Sequence, residues 1–105
     1  MTQQKVNHYA ILASGVGTNA FSLIQTGLME KCPPRFVVCN KEDSPLLDKA
    51  KELGISTYFI PCAVKGVDKD FENRVLNLCK GHNVDWLFLA GFLKILSPEF
   101  LSEFN

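Results

Sequence analysis

The sequence lacks the cysteine and histidine patterns of metal-binding and disulfide-rich proteins. Among its 105 residues only four are cysteines, with no Cys-x-x-Cys pair, and only two are histidines. They are Cys32, Cys39, Cys62, Cys79, His8 and His82. Because zinc sites usually carry these residue types at short, fixed spacings, we expect no metal site. We expect the thiols to be reduced and buried, as free cysteine commonly is.

Long apolar runs and an excess of charge of either sign are also absent. Runs such as residues 86–93 are far too short to cross a bilayer, and the first residues do not have the build of a signal peptide. We therefore expect a cytoplasmic protein with no membrane partner. Eleven basic and eleven acidic residues cancel, so the broad cationic surface that nucleic-acid binding requires is not expected. A partner that carries one phosphate fits this charge balance.

What the sequence does contain is a regular alternation of short apolar runs with longer segments of helical periodicity. Continuous apolar runs are typical of parallel strands, because helices cover both faces of such a sheet. The pattern predicts an α/β protein with a Rossmann-like open parallel sheet, in the element order βαβαβαβα. Residues 1–105 are expected to form a single domain. The predicted strands are residues 7–13, 35–40, 57–60 and 85–89.

Four helices are predicted from apolar spacing and from start and stop residues. Asn19 is interpreted as the N-cap of the first helix and Gly81 as the stop of the third. Ser44 and Ser97 are interpreted as the N-caps of the second and fourth. The predicted ranges are residues 20–29, 45–54 and 68–80, and a fourth helix begins at Pro98.

The turn between the first strand and the first helix has the features of a phosphate site. Residues 13–20 read ASGVGTNA, and Gly15 and Gly17 allow a ligand to approach the backbone closely. Free N–H groups and the positive end of the helix dipole attract an anion, while Thr18 and Asn19 add side-chain donors. We predict that Gly15, Gly17, Thr18 and Asn19 bind one phosphate. A tight turn without a ligand is the alternative.

A nicotinamide dinucleotide site is a second alternative for the same turn. Gly15-x-Gly17-x-x-Ala20 satisfies the loose dinucleotide fingerprint. That interpretation requires an acidic residue at the end of the second strand, where this chain has Asn40 and Lys41. The dinucleotide hypothesis is weakened. A stand-alone module that binds NAD(P) or a phosphorylated metabolite without turnover stays open.

A second glycine turn follows the fourth strand. Residues 89–98 read LAGFLKILSP, and in an open parallel sheet this turn should lie beside the first one at the carboxyl edge. Phe92, Leu93, Ile95 and Leu96 would form an apolar wall that suits a flat heteroaromatic ring. Ordinary core packing is an equal alternative for these side chains.

Together, residues 13–19, the Cys39-Asn40-Lys41 triplet and residues 89–98 resemble the landmarks of the glycinamide ribonucleotide formyltransferases of purine biosynthesis. The resemblance extends from about Lys5 to the end of the chain and implies the N-terminal half of that fold. It implies formyl transfer from 10-formyltetrahydrofolate to glycinamide ribonucleotide, without a metal. Methionyl-tRNA formyltransferase and formyltetrahydrofolate deformylase share the fold and are the nearest alternatives.

The resemblance also implies roles for individual residues. Gly17, Thr18 and Asn19 would bind the substrate's phosphate, and Gly91 would lie near its glycinamide portion. The folate would lie against Phe92, Leu93, Lys94, Ile95 and Leu96. The backbone of Lys94 and Leu96 would form hydrogen bonds to its pterin ring. Lys94 stands where the family has arginine, and lysine lacks the planar guanidinium fork.

No residue of this chain is assigned a catalytic role. The resemblance implies an asparagine, a histidine and an aspartate as catalytic residues, and none of them matches a position in residues 1–105. His8, His82 and Asp85 fall at the amino edge of the predicted sheet, roughly 17 Å from the loops across a five-residue strand. We expect the 105-residue chain to be inactive alone, and to self-associate through its fourth strand or be only marginally stable.

Overall fold

The structure is a computed structural model, and it describes residues 8–14, 18–63, 65–92 and 96–104. In that part of the chain, strands and helices alternate strictly. The strands are β1 (Tyr9–Ala13), β2 (Phe36–Cys39), β3 (Ser56–Phe59) and β4 (Trp86–Ala90). The helices are α1 (Thr18–Met29), α2 (Pro45–Glu52), α3 (Lys69–Gly81) and α4 (Pro98–Ser102). The predicted α/β class and element order are confirmed.

The described strands form one parallel sheet in the order β3-β2-β1-β4. The chain moves from β1 outward to β2 and β3 and then returns to place β4 on the other side of β1. Ala13 is in register with Cys39 of β2 and with Ala90 of β4. The strand order therefore reverses at β1, and the carboxyl ends of three neighbouring strands lie level with one another.

Strand β1 is buried on both faces, which explains its continuous apolar run. Its residues alternate between two core clusters. On one face they pack with residues of α3 and α4: Phe71, Val75, Cys79 and Phe100. On the other face they pack with residues of α1 and α2: Ala20, Ile24, Leu46 and Ala50. The sheet is thus the middle of three layers, as the apolar runs predicted.

Four predicted helix boundaries differ from the structure: the start of α1, the end of α2, which lies at Glu52 and not at residue 54, and both ends of α3. Helix α1 begins at Thr18, so Asn19 lies inside the helix and is not its N-cap. Helix α3 continues through Gly81, has His82 as its C-cap, and is followed by Asn83 with φ 56°. Asparagine tolerates this left-handed conformation, so the glycine was not needed as the stop.

The other helix starts are confirmed by hydrogen bonds. Ser44 Oγ accepts from the Leu46 N–H at 3.2 Å, and Ser97 Oγ accepts from the Phe100 N–H at 3.1 Å. Each of these caps precedes a proline, whose fixed φ suits the first helical position. Both boundaries of β2, β3 and β4 differ from the prediction by one residue, and Asn7, the predicted start of β1, lies outside the described residues.

The expectation of buried thiols is correct for Cys39 and Cys79 only. Cys62 is half-buried, and Cys32 is exposed in the turn that leaves α1. Lys31, just before it, has φ 58°, a left-handed conformation of the kind that follows the end of a helix. Across the described segments of the chain, no helix has the length and apolar character needed to cross a membrane.

Candidate functional site

Three chain segments meet at the carboxyl edge of the sheet. Ser14 directly follows β1, Asn40 follows β2 and Gly91 follows β4. The Asn40 N–H donates to the carbonyl of Ala13 at 3.4 Å, which keeps the β2 exit beside the β1 exit. Because strand order reverses at β1, this edge is where an open α/β sheet has its binding crevice.

The first turn of α1 places the positive end of a helix dipole at this edge. The helix begins at Thr18, Asn19 is exposed, and the first turn contains no acidic side chain. The unpaired N–H groups and the dipole of such a turn favour an anion. Gly15, Gly17 and the side chain of Thr18 lie outside the described residues, so the four-residue phosphate site stays a prediction.

Two buried polar atoms at the same edge have no hydrogen-bond partner within the part of the chain that the structure describes. They are Ser14 Oγ and Asn40 Oδ1. A buried polar group without a partner costs about 1–3 kcal/mol. A ligand phosphate could accept from the Ser14 hydroxyl, and a ligand hydroxyl could donate to Asn40 Oδ1. Neither residue is among the site residues predicted from the sequence, although Asn40 belongs to the Asn-Lys pair after β2. The signal available was a polar residue directly after a buried parallel strand.

The segment after β4 begins with a turn that requires glycine for its backbone. Gly91 has φ 70°, a conformation that side-chain-bearing residues rarely adopt. A Cβ built there would meet no described atom within 4 Å, so space is not the constraint.

The structure describes two of the five predicted folate residues, Phe92 and Leu96. Phe92 and Leu96 are half-buried and pack against the core cluster of α3 and α4, so core packing accounts for part of each side chain. The Phe92 ring stacks on Phe71 with centroids 5.5 Å apart and planes 12° apart. Leu93, Lys94 and Ile95 lie outside the described residues.

A buried carboxylate that is not among the predicted site residues contacts the end of this segment. Glu72 of α3 is 3% exposed, and its Oε2 accepts from the Ser97 N–H at 2.7 Å. Its Oε1 accepts from the Ser97 hydroxyl at 2.7 Å. The only signal in the sequence was an acidic residue beside Phe71 in the apolar stripe of α3.

Both histidines lie at the opposite edge of the sheet. The Arg35 guanidinium donates to His8 Nε2 at 2.7 Å, so His8 Nδ1 is assigned as the donor to the Asn83 carbonyl at 3.1 Å. His82 Nε2 lies 3.0 Å from the Tyr58 hydroxyl. Each imidazole is engaged in structural contacts roughly 17 Å from the candidate site, the length of a five-residue strand. Within the described ranges, no three His, Cys, Asp or Glu side chains are grouped as metal ligands.

Residues 7–105 match the sequence profile of the family described as formyl transferase. The chain is 35% identical over 101 residues to the trifunctional purine biosynthetic protein adenosine-3 of Gallus gallus, covering 91% of this chain and 10% of that protein. A phosphoribosylglycinamide formyltransferase from Streptococcus pneumoniae TIGR4 superposes with a TM-score of 0.76 at 32% identity, covering 94% of this chain and 52% of that one.

A formyltetrahydrofolate deformylase from Pseudomonas putida KT2440 superposes with a TM-score of 0.83 at 20% identity, covering 96% of this chain and 36% of that one. At this identity the likeness shows the shared fold alone. The chain spans about half of the Streptococcus pneumoniae enzyme and smaller parts of the other two.

Proposed function

The chain belongs to the formyl transferase family, and from this premise we propose that it is the substrate-binding part of a glycinamide ribonucleotide formyltransferase of purine biosynthesis. The reaction would transfer a formyl group from 10-formyltetrahydrofolate to the amine of glycinamide ribonucleotide. Residues 1–105 would act in it as one phosphate-binding domain. The relatives named for phosphoribosylglycinamide formyltransferase and for purine biosynthesis support this choice of substrate.

One observation carries the proposal: polar and apolar binding groups lie on adjacent strands at the point where strand order reverses. The unpartnered polar atoms of Ser14 and Asn40 lie at the ends of β1 and β2, together with the α1 N-terminus. Phe92 follows the neighbouring strand β4. A ligand with an anionic ribose phosphate and a second ligand with a flat apolar ring could therefore bind side by side.

Specific residues would hold each ligand. Gly15, Gly17, Thr18 and Asn19 would bind the phosphate of glycinamide ribonucleotide through the α1 N-terminus. Gly91 would lie beside the glycinamide amine, where the absence of a side chain leaves room for the formyl donor. The donor would lie against Phe92, Leu93, Lys94, Ile95 and Leu96. Holding amine and formyl carbon together would convert a bimolecular encounter into an oriented one.

The chain would bind and orient its substrates without moving the proton. Attack of the amine on the formyl carbon needs a proton acceptor and a donor to the developing oxyanion. Both histidines of the chain are at the amino edge. We therefore propose that the 105-residue chain gives no formyl transfer alone, and release of tetrahydrofolate at an ordinary enzymatic rate would contradict this part of the proposal.

Isothermal titration calorimetry tests the binding role directly. The purified chain should bind glycinamide ribonucleotide more tightly than inorganic phosphate, and NAD(P) more weakly than either. Asn19→Ala should weaken the binding of glycinamide ribonucleotide and of inorganic phosphate by about tenfold, the size expected for one hydrogen bond to a charged group. Asn73→Ala is the matched control, because Asn73 is also exposed near the start of a helix but lies on α3.

Gly17→Val should remove phosphate binding, since a β-branched residue would crowd a ligand held by the backbone. If NAD(P) binds most tightly, the stand-alone nucleotide-binding module is the better interpretation. If neither phosphate nor glycinamide ribonucleotide binds, the proposed function is wrong.

A further inference from the structure

The start of α3 contacts both ends of the segment that follows β4. Phe71 stacks on Phe92, at the beginning of that segment. The next residue, Glu72, binds Ser97 at its end through two hydrogen bonds. Lys69, one turn earlier, reaches Glu99 of α4 at 3.3 Å across the surface. Residues 92–97 are therefore held at each end by consecutive residues of one helix.

The Glu72 carboxylate is unusual for a buried position, since charge is costly to remove from water unless it is hydrogen-bonded. Both of its oxygens accept from Ser97 at 2.7 Å, a length typical of strong, charge-assisted bonds. The Ser97 hydroxyl in turn accepts from the Phe100 N–H. An apolar side chain could fill the same volume, so packing alone does not require a carboxylate here. Its specific contribution is to fix the backbone N–H and hydroxyl of Ser97.

A binding segment whose ends are fixed loses less conformational entropy on binding than one with free ends, and so binds its ligand more tightly. We propose that Glu72 is a positioning residue for folate binding. It fixes Ser97 while Phe71 fixes Phe92, and together they set the span of the segment assigned to the pterin ring. This inference rests on the proposed function, because the folate assignment comes from there.

The experiment compares Glu72→Ala and Glu72→Gln with the wild-type chain, and Asp70→Ala serves as the matched control. Asp70 is an acidic residue on the same turn of α3, with an exposed side chain. Tetrahydrofolate under anaerobic conditions and inorganic phosphate are the two probes in calorimetry. Amide hydrogen exchange of Phe92, Leu96 and Ser97 is followed by NMR in the absence of ligand.

Glu72→Ala should weaken tetrahydrofolate binding about tenfold, the effect of having to order about one further backbone residue on binding, and change phosphate binding less than about twofold. Its amide exchange should rise at Leu96 as well as at Ser97, while Phe92 stays held by Phe71. Glu72→Gln keeps one acceptor for the Ser97 N–H and should restore part of the tetrahydrofolate affinity. Asp70→Ala should change neither affinity nor exchange. Retained phosphate binding shows that the variants fold.

The outcomes separate the inference from the proposed function. If the wild-type chain binds tetrahydrofolate and Glu72→Ala binds it equally well, the positioning role is wrong. If exchange at Leu96 and Ser97 is unchanged in Glu72→Ala, the positioning role is also wrong, whatever the chain binds. If the wild-type chain does not bind tetrahydrofolate but exchange rises at Leu96 in the Glu72 variants alone, the anchoring stands and the folate assignment fails.

Discussion

Ala13 and Ala90, the last residues of β1 and β4, are register partners in the parallel sheet. The segments that follow them therefore start side by side, although the helices α1, α2 and α3 separate them along the chain. Parallel strands place their carboxyl ends at one edge, and strand reversal at β1 leaves a crevice there. The candidate site is a consequence of this register.

Gly27→Ala should destabilise the protein despite the higher helix propensity of alanine. A Cβ on Gly27 would overlap the Tyr9 hydroxyl and lie 2.7 Å from the Cys32 carbonyl oxygen. These two groups are hydrogen-bonded at 2.8 Å, so neither can move freely. Overpacking of this kind costs about 1–3 kcal/mol, against about 1 kcal/mol gained in propensity.

Gly81→Ala is the matched control for Gly27→Ala. Gly81 lies in α3, and a Cβ there would meet no described atom within 4 Å. The substitution should stabilise the protein by about 0.4–1 kcal/mol, chiefly through the unfolded chain. Chemical denaturation of both variants measures the difference, and equal stabilities would contradict the close approach of α1 to Tyr9.

The cysteines should differ sharply in reactivity towards iodoacetamide. Burial raises the pKa of the Cys79 thiol to about 11, so at pH 8 it should stay protonated and unreactive. Cys32 is exposed and should be alkylated first. Mass spectrometry after limited labelling identifies the modified residues. Early labelling of Cys79 in the folded protein would show that the α3 face of the core is open.

Cys79 should also make stability depend on alkaline pH. Its pKa is raised in the folded state above the usual thiol value of 9.0, so the folded protein holds this proton more tightly than the unfolded chain. The contribution to stability is complete below about pH 9 and is lost as pH rises towards about 11. Cys79→Ala should flatten this part of the stability profile, measured by urea denaturation at several pH values.

Asp68 should provide the opposite dependence at acidic pH. Its carboxylate accepts from the Phe71 N–H at 3.0 Å and from the Ala63 N–H at 2.8 Å, and these bonds lower the pKa of Asp68. Its stabilising effect is present above the unfolded pKa of about 3.8 and is lost as pH falls through the lower folded value. Asp68→Asn should weaken the acid dependence in thermal melts, whereas Asp70→Asn should leave it unchanged.

The fold could be predicted from the sequence because β1 and β2 are buried on both faces. Their uninterrupted apolar runs, with helical periodicity between them, leave few alternatives to a parallel sheet. Strand β4 was found by the same criterion, although three of its side chains are exposed: Trp86, Phe88 and Leu89. The apolar run predicted the strand itself, but the exposure of its side chains depends on which strands lie beside it.

Site residues could be predicted from the sequence only where their role depends on residues adjacent to them in the chain. Ser97 was identified as a cap because a cap depends on the adjacent residues. Its contact with Glu72 could not be predicted, because it depends on how α3 packs beside the segment after β4. The boundary at Asn83 was missed for a similar reason, since glycine and asparagine both tolerate the left-handed conformation.

Strand β4 has two properties that favour association with a second copy of the chain. It is an edge strand within the described sheet, where it pairs with β1 only. It also exposes Trp86 and Phe88 on one face and Leu89 on the other, at 52%, 44% and 48%. Edge strands with apolar side chains are templates for pairing. A twofold axis would bring two β4 strands together antiparallel, as closed dimers require.

We therefore predict a concentration-dependent dimer that forms through β4 and that a lysine on this strand weakens. Trp86→Lys and Leu89→Lys should each shift sedimentation equilibrium towards monomer, because a charge on an edge strand opposes pairing. Leu53→Lys is the matched control: Leu53 is 41% exposed, but it caps α2 at the β3 side of the sheet. The control should dimerise like the wild-type chain. A wild-type chain that stays monomeric at its solubility limit, or a control that dissociates equally, would show that the edge of β4 is not the contact between copies.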